Sequence, residues 1–400
     1  MVRNILTFNA GAATPSGPLA RGAASPGPGP DIPPPRLSAC YQARPGRPAG
    51  AFAKVSALLM GHLSAGTPPA VAMAVCSRDG ISYQAAGGWA NLGYAAREPV
   101  PASDQTLFDL ASLTKVVATV PLVLLLHQRG AWDIDDPLAR WLPGAPSSPV
   151  TIRDCLSHTS GLVAHRPFYA ECEDPAAIRR AVIAELASAT GGGPVVYSDL
   201  NFMLLGWAVE ECAGEQLAPL LHREILVPLG MSATTYRPQA SRTSIAATEV
   251  DGDQRPGPGP VWGEVHDGNA FALGGVSGHA GLFSTVTDLA AFAAAFLRPG
   301  RHPVLSAATI GLMTTRQAAD GDDTRALGWR LKPSPWGAWP AGTFWHTGFT
   351  GTSLLISPSL DTAVVVLSNA VHPVRHLAEA TALRGSVHRA VRRAVSSHTA

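Results

Sequence analysis

Strand-like patterns lie near the start and near the end of the folded part of this 400-residue chain. The first group covers residues 69–76 and 81–90, which the dipeptide Asp79-Gly80 is expected to join as a hairpin. The second group covers residues 326–331, 343–347, 352–356 and 362–367. The simplest arrangement brings both groups together in one core, so we expect a central antiparallel sheet built from the two ends.

Helical periodicity fills the region between the two strand groups and also flanks them. The predicted helices cover residues 51–63, 151–157, 176–187, 200–213, 216–226, 286–297, 306–315 and 374–395. Residues 234–281 are dense in glycine and proline and should form surface excursions around a site. The pattern predicts an α/β plus all-α fold, with helices flanking the sheet, in a single domain over residues 50–400. Its α/β lobe would be 50–110 with 282–396, and a mainly helical lobe, 111–281, would be inserted.

Composition limits the classes of function. Residues 1–49 are rich in proline, glycine, alanine and serine, so we predict a disordered tail. The net charge of +1 gives no field that would attract nucleic acid or an anionic membrane. The five cysteines are widely spread and odd in number, which indicates neither a disulfide framework nor a metal site, and no cofactor is predicted.

No targeting or membrane segment is predicted. The apolar run 116–126 is far shorter than the roughly 20 residues of a membrane span. Residues 1–10 contain only a short apolar patch, too little for a secretory signal. We therefore expect a cytoplasmic protein, unless the start of the sequence is misplaced.

The stretch 108–126 carries the first chemical signal. Ser112 stands three residues before Lys115, and the apolar run that follows predicts a buried helix with a kink near Pro121. At this spacing the lysine amine can reach the serine hydroxyl. A hydroxyl becomes a good nucleophile when a neighbouring base takes its proton, and the start of a helix adds outward backbone N–H groups. Because such pairs also recur by chance, the pair needs companions.

Two later motifs accompany this pair. Tyr197-Ser198-Asp199 lies within VYSDLN, and His346-Thr347-Gly348 lies on a predicted strand. In this order the three motifs resemble those of the penicillin-recognising serine hydrolases. The tyrosine form resembles the branch with class C β-lactamases, D,D-carboxypeptidases, D-aminopeptidases and family VIII esterases. The stretches TIRDCLSHTSGL, VPLGM, GGVSGHAGLFSTVTDLA and HTGFTGTSL are similar to the same family.

The resemblance implies a two-lobe β-lactamase/transpeptidase-like fold and an acyl-enzyme mechanism. It makes Ser112 the nucleophile, with Lys115 and Tyr197 as its proton partners, and leaves open which of these two takes the Ser112 proton. The oxyanion hole would be the backbone N–H groups of Ser112 and Phe349. His346, Thr347, Gly348 and Asp199 would complete the substrate-binding and oxyanion residues.

Two positions depart from the class C β-lactamase pattern. His346 replaces a lysine that fixes the substrate carboxylate, and an unperturbed histidine is fully charged only in acid. Asp199 stands where many members have asparagine, which removes an amide donor and adds a negative charge. Both changes weaken the case for a β-lactamase and for substrates with a carboxylate beside the scissile bond.

The first functional hypothesis is a carboxylesterase-like serine hydrolase for a small ester or amide. The alternatives are a D,D-peptidase, D-aminopeptidase or β-lactamase, an acyl or peptidyl transferase, and a penicillin-binding sensor that is acylated once without turnover. The expected partner is a small-molecule ester, amide or peptide, and the sequence does not define the oligomeric state. His158 and His279 are interpreted as structural histidines, because no ligand spacing joins them to carboxylates.

Overall fold

A seven-stranded antiparallel sheet lies at the centre of the fold. The computed structural model describes residues 35–41, 50–94, 98–321, 323–331 and 335–396. The strands are β1 (Leu37–Tyr41), β2 (Ala70–Ser77), β3 (Gly80–Asn91), β4 (Val100–Pro101), β5 (Phe108–Asp109), β6 (Thr235–Tyr236), β7 (Val250–Gly252), β8 (Arg255–Pro260), β9 (Leu282–Ser284), β10 (Ala318–Asp320), β11 (Asp323–Arg325), β12 (Phe344–Thr347), β13 (Ser353–Ser357) and β14 (Thr362–Ser368). The central order is β1-β3-β2-β14-β13-β12, with β4 paired to β3. The pairing of β2 with β14 joins the two ends of the chain, so the predicted antiparallel sheet is confirmed.

Helices cover both faces of this sheet. They are α1 (Ala53–Ser64), α2 (Val120–Gln128), α3 (Ile152–Ser157), α4 (Phe168–Glu171), α5 (Pro175–Ala184), α6 (Asp199–Ala213), α7 (Leu217–Leu221), α8 (Val227–Leu229), α9 (Gly268–Ala272), α10 (Val286–Phe296), α11 (Ala307–Thr314) and α12 (Leu377–Ser396). Side chains on β2 alternate between two cores, as a period of two requires. Val71 and Met73 pack in the core shared with α1 and α12, whereas Ala72 and Ala74 pack in the core shared with α10.

The helix after Ser112 is buried on all sides. Every residue from Val120 to Leu126 in α2 is buried, as its uniformly apolar sequence favours. A π-helical segment, Lys115–Thr119, precedes α2. Pro121 lies in the first turn of α2, where a missing backbone N–H costs little. The irregularity predicted near Pro121 therefore lies before the proline, in the segment that contains Lys115.

Two predictions of local structure are wrong. Residues 326–331 do not form a strand, because Gly328 has a φ of 79° and only Arg330 makes isolated bridges, to Arg325 and Trp345. Within the predicted tail, Leu37–Tyr41 forms β1, which pairs with β3. Its pairing rests on backbone hydrogen bonds, because Ser38, Ala39 and Cys40 are exposed, and the composition of the segment gave no sign of it. Residues 1–34 and 42–49 of that tail lie outside the described residues.

The described residues belong to one compact unit. The lobe boundaries at 110/111 and 281/282 stay predictions. Across the ranges given above, each helix is too short or too polar to cross a lipid bilayer.

Candidate active site

A strained turn presents Ser112. Ala111, the residue before it, has a φ of 47°, a left-handed conformation that costs free energy for a residue with a Cβ. The buried carboxylate of Asp109 stabilises this turn by accepting hydrogen bonds from the Ala111 N–H at 2.8 Å and the His266 N–H at 2.7 Å. The turn connects β5 to the helical segment and places Ser112 at a cavity.

Lys115 lies fully buried beneath Ser112 and has three hydrogen-bond acceptors. Its Nζ donates to Ser112 Oγ at 2.9 Å, to Asp199 Oδ1 at 2.8 Å and to the His279 carbonyl at 3.2 Å. Three acceptors match the three N–H bonds of an ammonium group. Burial lowers the pKa of Lys115, but the Asp199 carboxylate and the Tyr197 phenol outweigh it and raise this pKa above its usual value.

Asp199 is the anion that balances this ammonium. It begins α6, where the helix dipole favours a negative charge. Burial raises the pKa of Asp199, but the Lys115 ammonium and a bond from His165 outweigh burial and hold it well below its usual range. The His165 Nδ1 lies 3.4 Å from Asp199 Oδ2. The negative charge predicted for the pocket is therefore largely neutralised by the Lys115 ammonium.

Two cations lie close to the ring of Tyr197. The Lys115 Nζ is 5.1 Å from the centroid of its ring, and the Arg325 Cζ is 5.4 Å from it. The Arg325 side chain is buried, and its Nη2 donates to Asp323 Oδ2 at 2.7 Å. Positive charges at such distances stabilise negative charge on the phenol oxygen.

The ring of His158 packs against the ring of Tyr197. The two ring centroids are 4.6 Å apart, and the His158 Nδ1 accepts a hydrogen bond from the Ser198 N–H at 3.1 Å. Burial, with the nearby cations Arg325 and Lys115, lowers the pKa of His158 well below its usual value. These contacts agree with the interpretation of His158 as a structural histidine.

His346 is buried on β12 and is uncharged near pH 7. Burial and the nearby cations Lys115 and Arg325 lower its pKa well below the usual value. Its ring centroid is 6.0 Å from that of Tyr197. The neutral state expected for this position follows from its burial and its cationic neighbours.

The loop after β12 is fastened to the turn that carries Ser112. Thr350 Oγ1 donates to the Asp109 carbonyl at 2.7 Å, and Thr352 Oγ1 donates to the Leu110 carbonyl at 3.0 Å. A Cβ on Gly348 would lie 2.1 Å from Thr352 Oγ1 and 2.3 Å from the Leu110 oxygen, so this approach requires glycine. These contacts bring Phe349 beside Ser112.

Two backbone donors flank the cavity at this junction. Within the part of the chain that the structure describes, the N–H groups of Ser112 and Phe349 have no hydrogen-bond acceptor. Unpaired N–H groups beside a nucleophile are able to hold the oxygen of a tetrahedral intermediate.

The cavity itself has a volume of about 240 Å³. It is lined by Ala111, Ser112, His165, Tyr197, Asp199, Gln254, His266, Asp267, His279, Ala280 and Phe349. Among the sequence-predicted residues, His346, Thr347 and Gly348 do not line it but lie on the adjacent strand and turn. Within the described ranges, no group of three or more His, Cys, Asp or Glu side chains is placed to hold a metal ion.

His165, Gln254, His266 and Asp267 were not predicted from the sequence. They come from connecting segments and belong to none of the three motifs, so no local signal marks them. Asp267 accepts a hydrogen bond from His279 at 2.9 Å, and the other nitrogen of His279 contacts Ser277 Oγ at 2.8 Å.

A serine bonded to a buried lysine, beside a tyrosine and two unpaired N–H donors, is a site able to perform acyl transfer through a serine ester. The family model described as Beta-lactamase matches residues 57–388, and the chain belongs to this family. The chain is a member of the penicillin-recognising serine hydrolase superfamily, as the motifs indicate.

Two relatives match over most of their length. A putative D-alanyl-D-alanine carboxypeptidase of Escherichia coli (strain K12) is 32% identical over 353 residues, covering 76% of this chain and 79% of the relative. An N-acetylmuramyl-L-alanine amidase of Bacillus subtilis (strain 168) is 33% identical over 361 residues, covering 80% of this chain and 81% of the relative.

The octameric penicillin-binding protein homologue from Pyrococcus abyssi has a similar structure. Its TM-score is 0.65 at 21% identity, with 83% of this chain and 76% of that chain covered. At this identity the comparison supports the fold alone. The expected β-lactamase/transpeptidase-like fold is confirmed.

Proposed function

We propose that this β-lactamase-family serine hydrolase is an amidase that cleaves its substrate through an acyl-enzyme on Ser112. The observation that carries the proposal is the 2.9 Å hydrogen bond from Lys115 Nζ to Ser112 Oγ beside Tyr197. The names of both relatives denote enzymes for an amide bond next to alanine. An amide therefore replaces the ester as the preferred substrate class.

In the proposed mechanism Tyr197 takes the proton of Ser112. Lys115 is already protonated and hydrogen-bonded to three acceptors, so it stabilises charge rather than accepting a proton. Tyr197 enters this step as a phenolate. As Ser112 Oγ bonds to the substrate carbonyl carbon, the hydroxyl proton passes to the phenolate oxygen and the carbonyl oxygen becomes an oxyanion. The N–H groups of Ser112 and Phe349 hold that oxyanion.

The oxyanion then collapses, the C–N bond breaks and the Tyr197 phenol gives its proton to the leaving nitrogen. In deacylation a water molecule gives a proton to the Tyr197 phenolate as it attacks the ester carbonyl. The C–O bond to Ser112 then breaks, Ser112 Oγ takes that proton back and the acid is released.

The charges around the cavity favour substrates without a carboxylate beside the scissile bond. His346 is neutral, and the Lys115 ammonium is already paired with Asp199, so neither side chain offers a free cation to a substrate carboxylate. Arg375 lies 5.5 Å from the Phe349 ring, but it is paired with Glu249 and Asp253. This distribution supports an N-acetylmuramyl-peptide type of amide over a peptide that ends in D-alanyl-D-alanine.

The first test compares matched substrates at about pH 7.5, a unit above the reference pKa of histidine. N-acetylmuramyl-L-alanyl-D-isoglutamine should be hydrolysed. An acetylated peptide ending in D-alanyl-D-alanine should be cleaved about tenfold faster as its C-terminal amide than as its free acid, since the amide removes the carboxylate. Initial rates are measured by chromatography. Faster cleavage of the free acid would mean that the site binds carboxylate and would contradict the proposal.

A carboxylesterase is the second candidate, because a neutral His346 also suits uncharged esters. Parallel assays with p-nitrophenyl esters, nitrocefin and added amine or alcohol acceptors separate hydrolysis from acyl transfer. Intact mass identifies a stable acyl-enzyme, which would indicate a sensor that does not turn over. Better turnover of esters than of any amide would favour the carboxylesterase.

Asp199→Asn tests the charge state of Lys115. Without the carboxylate, the effect of burial is opposed by Tyr197 alone, so the pKa of Lys115 should fall. Activity that needs the ammonium is lost as pH rises through that pKa, so the alkaline limb of kcat/KM should move to lower pH. The measurement is a pH profile from about pH 6 to 11, which spans the reference pKa of lysine. Asp104→Asn, at an exposed carboxylate, is the control and should leave the limb in place.

A further inference from the structure

Arg384 is a guanidinium on α12 that reaches the loop after β12. Its Nη2 donates to the Gly348 carbonyl at 2.7 Å, and its buried Nε has no partner among the described residues. Within the same ranges no carboxylate forms an ion pair with it. Burial lowers the pKa of Arg384 to about 10. Arg384 is half-buried, and a cation partly withdrawn from water without a carboxylate partner is costly, so its presence calls for a reason.

Packing of α12 against the sheet does not explain why an arginine occupies position 384. Leu383 and Val387, on either side of Arg384, are buried in the core between α12 and the sheet. These apolar contacts hold α12 on the sheet, so the packing of the helix does not depend on the charge of Arg384.

The acceptor of this hydrogen bond belongs to the oxyanion hole. The Gly348 carbonyl and the Phe349 N–H are the two ends of one planar peptide group. A charged donor on the carbonyl polarises the group and makes its N–H a stronger donor, because hydrogen bonds in a chain strengthen one another. The Gly351 N–H donates to the same oxygen at 3.2 Å, which also fixes the plane of the peptide.

We infer that Arg384 is a positioning residue for catalysis, which orients and polarises the Gly348–Phe349 peptide so that the Phe349 N–H binds the oxyanion more strongly. This inference rests on the proposed function, because it requires an acyl group on Ser112. Arg384 does not contact the substrate, and it acts through this single peptide group.

The test replaces Arg384 and observes the acyl carbonyl directly. Arg384→Met should lower kcat/KM about tenfold with little change in KM, less than the roughly hundredfold or more expected when a whole oxyanion donor is lost. Arg384→Lys, which keeps a charged donor, should recover part of the rate. A slowly deacylating aryl ester with a 13C carbonyl is then used to form the acyl-enzyme for infrared spectroscopy. In Arg384→Met the carbonyl stretch should move to higher frequency, because its hydrogen bond is weaker.

Arg389→Met, at an exposed position five residues further along α12, is the matched control. It should change neither kcat/KM nor the carbonyl stretching frequency. If Arg384→Met does not fold, Arg384→Gln removes the charge and keeps a polar side chain for the same measurements. A rate loss without a frequency change would show a structural role and overturn the inference alone. Absence of any acyl-enzyme on wild-type Ser112 would overturn both the proposed function and the inference.

Discussion

Ser112→Ala is expected to lower kcat/KM by more than about a thousandfold, the scale of removing a nucleophile. The hydroxyl is the group that would form the covalent bond, and nothing in the alanine side chain replaces it. A fluorophosphonate probe should label the wild-type protein at Ser112 and leave the variant unlabelled. Intact mass followed by peptide mapping gives the position.

The stability of this variant needs its own measurement. Lys115 Nζ loses one of its three acceptors when Ser112 becomes alanine, which costs roughly 1–3 kcal/mol for a buried donor left unpaired. Thermal melting therefore accompanies the kinetics. Ser188→Ala, at an exposed serine, is the matched control and should keep both the rate and the label. Labelling that persists in Ser112→Ala would show that another residue is the nucleophile.

Local patterns predicted those parts of the fold that depend on neighbours in sequence. The helix predicted over 151–157 is an example: it forms as α3, and Thr151 and Asp154 bond each other's backbone at its start. The apolar residues of β2 and β14 likewise predicted buried strands, and their pairing places the two ends of the chain in one sheet. Three short motifs were enough to indicate the family.

Contacts between distant segments could not be predicted in the same way. Gly328 is one case, because it lies in an apolar stretch that was predicted to be a strand. A Cβ at Gly328 would lie 2.3 Å from Val120 Cγ2, so the close approach to α2 requires glycine. The sequence contains the glycine but gives no sign of its partner.

The pairing of charges in the site also depends on contacts between distant segments. Sequence alone predicted that Asp199 adds negative charge to the pocket, but its pairing with Lys115 depends on a distance of 2.8 Å between residues 84 positions apart. Arg325 and Arg384 are single arginines outside any motif, and only the fold brings them to Tyr197 and Gly348. Long-range placement therefore decides the protonation states that the motifs leave open.

Tyr197→Phe is expected to lower turnover about a hundredfold or more, because the phenol oxygen is the proposed carrier of the Ser112 proton. Phenylalanine keeps the ring, so its contact with His158 should remain. The loss of one hydrogen-bonding group should change the free energy of unfolding by only about 1 kcal/mol. The variant should therefore fold normally and bind substrate with a similar KM while kcat falls.

Kinetics and thermal melting of the same preparations separate catalysis from packing. Tyr83→Phe is the matched control: its hydroxyl bonds Ser56 at 2.8 Å in the core under α1, away from Ser112. That variant should lose a little stability and keep its rate. A Tyr197→Phe protein that retains its rate but melts much lower would mean that Tyr197 is a packing residue. Lys115 would then have to take the proton of Ser112, although three acceptors hold its ammonium in place.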